Sequence, residues 1–272
     1  MKTFSKKRWN QISLSLTILT GVGIATAQSA LAATFTVAGY TWDSDNSVVG
    51  GSIVSGSQVI NHFTASFLSG NSEIANRTVG AILGFDPDSS VNIGDVNNPA
   101  IPGTIDLNWG TGMSLTNAAG NDFVVYENGG WGRPEAYAVA IKKVGQSSFT
   151  QFRYEFSDGF ETNVFATGFD LSDFGIGNEE AIDGIRITKL IPTDTVSGSD
   201  GQGFLGGSFN PQTGPWGGGS YTNDMFDPDA TFVVALHKPK PVPEPTSALA
   251  LLTFGAVTAA ALQRKHQSKV KG

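Results

Sequence analysis

Between residues 34 and 238 the sequence predicts an all-β fold, an antiparallel β-sandwich or jelly roll. Three observations predict it. About ten short apolar or alternating runs have strand length. Glycine, asparagine, aspartate and serine separate them, and the chain's 34 glycines favour tight turns and bulges over helices. No interval in this region holds a helical period for three turns.

In chain order, residues 34–40 alternate polar and apolar side chains as the first strand. Asp43, Asp45, Asn46 and Gly50-Gly51 then mark a turn-rich stretch. Residues 58–67 read as a strand with Val59, Phe63, Ala65 and Phe67 mostly on one face. A shorter apolar run, 79–85, stops at Asp86-Pro87, because proline cannot continue a central strand. Residues 88–103, with Gly94, Asn97-Asn98-Pro99 and Pro102-Gly103, read as a loop. Strands follow at 104–109, 122–127, 136–143, 149–156, 163–169, 182–191 and 231–236. Within 182–191, Ile185, Ile187 and Lys189 alternate against Arg186, Thr188 and Leu190. Trp42 and Trp109, close to strand starts, are expected in the core. Residues 194–224 form a glycine-rich insert, by its length either a binding loop or a locally disordered one. Phe204, Phe209, Trp216 and Tyr221 give it aromatic surface to pack down.

The two termini read differently. Lys2, Lys6, Lys7 and Arg8 precede an apolar stretch at 12–27, and Ala25-Thr26-Ala27 and Ala30-Leu31-Ala32 offer small-residue cleavage sites. Residues 1–33 are therefore expected to be a signal peptide, leaving 34–238 as one β-sandwich domain. A Pro-rich linker, 239–245, leads into 19 uncharged residues between Glu244 and Arg264. That is bilayer-spanning length at the short end of the usual range. The expectation is a single hydrophobic transmembrane helix at 246–263 and a basic cytoplasmic tail at 264–272, with Arg264 and Lys265 setting topology.

Pro243-Glu244-Pro245, the apolar run and the basic end resemble, in that order, the bacterial PEP-CTERM sorting signal. The resemblance covers about residues 241–271. It implies export, recognition of the triplet by a membrane-embedded exosortase-type processing enzyme, and delivery to the cell surface or extracellular matrix. A second resemblance lies in the centre. Gly120-Asn121-Asp122-Phe123-Val124-Val125-Tyr126-Glu127-Asn128-Gly129, Glu135-Ala136-Tyr137-Ala138-Val139-Ala140-Ile141 and Gly168-Phe169-Asp170-Leu171-Ser172-Asp173 are similar to a family of bacterial cell-surface β-proteins. Its likeness implies a surface β-fold and no particular activity. Lys142-Lys143-Val144-Gly145 departs from that family's usual Ser-x-Asp-Gly turn, so no cation role is carried to it.

Charge and composition exclude several classes. Residues 34–238 hold 23 acidic and 8 basic residues, a formal charge of 8 − 23 = −15. Such a domain repels a phosphate backbone, so nucleic acid is not expected as a partner. The absence of cysteine rules out thiolate nucleophiles, thiolate metal sites and disulfides. His62, His237 and His266 are too dispersed for a three-histidine zinc site. Gly-x-Ser-x-Gly and Walker A motifs are missing, so no reaction is nominated and the enzyme question stays open.

The acidity does supply hard oxygen ligands. Asp122 and Glu127 differ by an odd number of positions, so on one regular strand they face opposite ways, which argues against a simple paired-carboxylate glycosidase. Glu127 ends one strand and Glu135 opens the next, so a hairpin around 128–134 would bring their carboxylates together, and a hard cation would offset their repulsion. Glu127, Glu135, Asp122 and Asp170 are accordingly the candidate metal ligands, with calcium the candidate cofactor. The run Asp224-Met225-Phe226-Asp227-Pro228-Asp229 is a further acidic cluster, without EF-hand spacing. Trp131 and Trp216, flanked by glycines, are candidate glycan contacts. The expected role is structural or adhesive, with extracellular polysaccharide or surface proteins as partners. A calcium-assisted carbohydrate-binding module and a polysaccharide-active enzyme are the alternatives.

Overall fold

The structure, a computed structural model, describes residues 32–64, 71–74, 79–84, 89–95, 97–128, 134–157, 159–161, 164–194, 196–197, 204–205, 208–209, 221–222 and 225–242. Residues 1–31, Trp131, Trp216, Pro243, Glu244, Pro245, the 246–263 segment, Arg264 and Lys265 lie outside the described residues. Among the described residues no helix is long and apolar enough to cross a membrane.

The strands in chain order begin with β1 (Thr34–Val37), β2 (Tyr40–Asp43), β3 (Gly50–Ile53), β4 (Ile60–Thr64), β5 (Asn71–Ile74) and β6 (Ser89–Asn92). Next come β7 (Thr104–Asn108), β8 (Met113–Thr116), β9 (Phe123–Asn128), β10 (Tyr137–Lys143), β11 (Phe152–Arg153) and β12 (Gly159–Glu161). The rest are β13 (Val164–Phe169), β14 (Ala181–Lys189), β15 (Val196–Ser197), β16 (Phe204–Leu205), β17 (Ser208–Phe209), β18 (Asp229–Ala235) and β19 (Lys240–Pro241). Helical structure among the described residues is limited to short 3-10 turns such as Ser44–Asn46, Gly80–Ile82 and Leu171–Phe174.

One sheet has seven strands in the order β12-β13-β9-β18-β6-β4-β5. The other has eight, running β16-β11-β10-β14-β7-β3, with β8 paired to β14 and β19 paired to β8. Pairing is antiparallel apart from the two-residue β11–β16 contact. The main core lies between the sheets: Val91, Phe123, Val125 and Val233 from the first meet Leu107, Val139, Ile141, Ile185 and Ile187 from the second. The predicted all-β, antiparallel class is thus present, and Trp42 and Trp109 are buried as expected.

Both outer faces are covered as well. All six residues of β9 are buried, because Val124 and Tyr126 point away from the main core into a second cluster with Val164, Phe232, Val234 and Trp42. The β1–β2 hairpin carries Trp42 over that face. Its indole Nε1 donates to the Tyr126 hydroxyl at 2.9 Å, and that hydroxyl donates to the Val37 carbonyl at 3.1 Å, so neither polar tip is stranded. On the other sheet, Ala138 and Leu190 pack with Tyr154, Phe209, Tyr221 and Phe226. The aromatic residues Phe209 and Tyr221 of the glycine-rich insert do pack down.

Several sequence expectations are corrected. The 34–40 run is not one strand: Ala38 (φ 48°) and Gly39 (φ 90°) turn it into the β1–β2 hairpin, a two-residue turn of left-handed residues. The apolar run at 79–85 forms a 3-10 turn at Gly80–Ile82 in place of a strand. The expected 88–103 loop contains β6, which is wholly buried between β18 and β4 despite its sequence Ser-Ser-Val-Asn. Backbone bonds from both neighbours select it, and composition does not report those. β8 lay unpredicted after Gly112, and 149–156 keeps only the short β11. The linker's start is also part of the fold. Lys240 and Pro241 pair with Ser114 and Met113, and Val242 N donates to Gly112 O at 2.7 Å.

Candidate functional site

At one end of the inter-sheet core the apolar lining gives way to carboxylates. Glu127 continues the inward row of Phe123 and Val125 along β9 and is 1% exposed. Glu135 lies two residues before the start of β10, which belongs to the opposite sheet. The 128–134 connection therefore joins the two sheets and does not close the expected hairpin, yet the two carboxylates still converge. The Glu135 amide donates to Glu127 Oε2 at 3.4 Å.

The last strand brings two more acids. Asp229 opens β18, and its amide donates to Glu135 Oε2 at 2.8 Å. Asp229 lies opposite Asn92 of β6, while Ala230 faces Glu127 of β9. Asn92 is buried, and its Nδ2 donates to Asp227 Oδ2 at 3.0 Å. Glu127, Glu135, Asp227, Asp229 and Asn92 thus form one connected group drawn from both sheets. The sequence nominated the first two. It placed Asp227 and Asp229 in a separate cluster, and it missed Asn92 inside the supposed loop.

Electrostatics mark the group as strained. Burial, partly offset by hydrogen bonds from Glu135 and reinforced by the charge of Asp227, pushes the Glu127 carboxyl up to about 8. Burial and then the charges of Glu127, Asp229 and Asp227 raise Glu135 well above the ordinary carboxylate range. Asp229 is raised by burial and by Asp227 and Glu127. The nearby cation is Lys189, on the inward row of β14 that the alternation of Ile185 and Ile187 predicted. Its Nζ is buried and has no hydrogen-bond partner among the described residues, and burial lowers its pKa against the pull of Asp227 and Asp95. The stem lies over Gly94 (φ +131°), where a Cβ would come within 2.6 Å of the lysine Cδ.

Asp122 and Asp170 are elsewhere, beyond the other end of β9. Asp122 is fully buried as a clamp. Its Oδ1 accepts from Ala118 N at 2.8 Å and lies 3.0 Å from His237 Nε2, and its Oδ2 accepts from Leu171 N at 2.9 Å. Asp170 caps the 3-10 turn, accepting from Ser172 N at 2.7 Å. These two carboxylates tie a turn and the end of the last long strand together, apart from Glu127 and Glu135. As the side chains stand, no three Asp, Glu or His groups among the described residues close around a common point as metal ligands. Compared with protein-family models, curated proteins and solved structures, the chain matches none, so the reading of the site rests on the chain's own residues.

Proposed function

We propose that the chain is an exported β-sandwich with a structural or adhesive role at the cell surface or in the extracellular matrix, delivered through a PEP-CTERM-type signal and processed by an exosortase-type enzyme. The observation that carries this reading is the fixed order of Pro243-Glu244-Pro245, 19 uncharged residues and Arg264-Lys265. The fold supports it from the other side. The β19–β8 pairing and the Val242–Gly112 hydrogen bond tie the chain to the sandwich up to the residue before the triplet. A processing enzyme would thus read a motif that starts where the described strand pairing stops. The acidic, cysteine-free composition suits a soluble module displayed outside the cell, where net negative charge opposes self-association.

Glu244→Ala tests the delivery step. It adds no charge to 245–263, so membrane insertion is unaffected. With a tag between domain and linker, immunoblotting is expected to show a shortened parent and a full-length, membrane-retained variant. Equal lengths and equal localisation of the two would contradict processing at the triplet.

A further inference from the structure

We propose that Glu127, Glu135, Asp227, Asp229 and the side-chain carbonyl of Asn92 form a buried binding site for one divalent cation of calcium type. The inference goes beyond the delivery signal and does not depend on it.

An acidic cluster alone would not suffice, since protonation could also relieve it. The neutral amide of Asn92 adds an independent indication. It is 6% exposed, and its NH2 side is fixed by donation to the Asp227 carboxylate. Its Oδ1 is therefore an acceptor, and no N–H among the described residues meets it. A buried amide oxygen with no N–H to meet it among the described residues, on a side chain already held to one of the carboxylates, fits an electrophile beside it. With all four carboxyl groups ionised against the Lys189 ammonium, three formal negative charges would remain, a state that burial penalises and a bound cation would relieve.

The donor chemistry selects the ion. Every donor is oxygen, four of the five are carboxylates, and some could bind through both oxygens. That suits a cation taking about 6–8 oxygen ligands at about 2.3–2.6 Å in irregular geometry. Magnesium keeps several waters and demands near-octahedral placement, which a site built across two sheets does not favour. Side-chain rotation must draw the carboxylates inward. Glu135, Asp227 and Asp229 retain partial exposure as residues, which gives them room to turn and the ion a way in. The bound ion would join β9, β18 and β6 of one sheet to the start of β10 in the other.

The full chain in detergent micelles, stripped with EGTA, should be titrated with CaCl2 and with MgCl2 by calorimetry, with thermal melts alongside. One calcium per chain is expected, bound at least tenfold more tightly than magnesium, together with a calcium-dependent rise in Tm. Glu127→Gln and Asp229→Asn should each weaken calcium binding at least tenfold. Without calcium and at pH 9, above the folded value of Glu127, Glu127→Gln should melt no lower than the parent, because there it removes a buried like charge. That second readout separates a lost ligand from a damaged fold. Absence of saturable calcium binding in the parent would overturn the proposal and leave a proton-sharing carboxyl cluster. Binding that both substitutions leave unchanged would overturn it too, by placing the ion elsewhere.

Discussion

Trp42→Ala is expected to cost about 3–5 kcal/mol of folding stability, the range for removing a large buried aromatic side chain. The indole is 2% exposed and stacks at tilted angles on Phe232, Tyr126 and Phe35, with centroids 5.6, 6.2 and 5.3 Å away. It is also the residue through which the β1–β2 hairpin covers the outer face of β9 and β18. Truncation exposes part of that face and removes the donor to Tyr126. Other ties from the β1–β2 pair to the sandwich are hydrogen bonds, among them Ala38 N donating to Glu161 at 2.6 Å, Asn121 Nδ2 donating to the Tyr40 hydroxyl at 3.0 Å and the Tyr126 hydroxyl donating to Val37 O. The urea midpoint of the variant checks this. A loss below about 1 kcal/mol would mean that the hairpin is an ornament on the sandwich and not its cover.

The second large effect is a dependence on pH in the absence of divalent ions. In EGTA, stability is expected to fall as pH rises from about 5 to about 8. Glu127 titrates near 4.5 when unfolded and at about 8 when folded, and Glu135 and Asp229 are shifted in the same direction. Between those values the folded state binds more protons than the unfolded state, so raising pH favours unfolding. Each such group contributes up to about 1.4 kcal/mol per pH unit in that window, giving a loss of a few kcal/mol. The groups that act on Glu127 are Glu135, Asp227, Asp229 and Tyr221, and Lys189 of β14 acts on Asp227. Lys189, with its pKa lowered, acts in the opposite sense, but only above its own folded value. Urea midpoints at pH 5, 6.5 and 8 give the slope. A midpoint rising steadily towards pH 8 would contradict the burial of these carboxyls.

What the sequence disclosed follows from which forces leave a local trace. The strands that line the main core carry period-two or continuous apolar runs, and 104–109, 136–143, 163–169 and 182–191 are found close to their predicted places. The alternation also put Lys189 on the row of Ile185 and Ile187, and that row is buried. β6 was not legible: its serines and asparagine look like loop residues, and only the backbones of β18 and β4 make them a strand. The 79–85 run misled for the opposite reason, since its apolar residues are buried through a 3-10 turn and need no ladder. The same limit divides the candidate site. Glu127 and Glu135 are eight positions apart and flank one connection, so local reading could pair them. Asn92 and Asp227 are 135 positions apart, and their meeting is a property of the β6–β18 register.

The most direct measurement is diffraction from crystals grown with calcium, using anomalous scattering to locate it. The account predicts a peak among Glu127, Glu135, Asp227, Asp229 and Asn92, with carboxylate and amide oxygens at about 2.3–2.6 Å. Carboxyl groups hydrogen-bonded to one another at that place, with no anomalous peak in the presence of calcium, would contradict it.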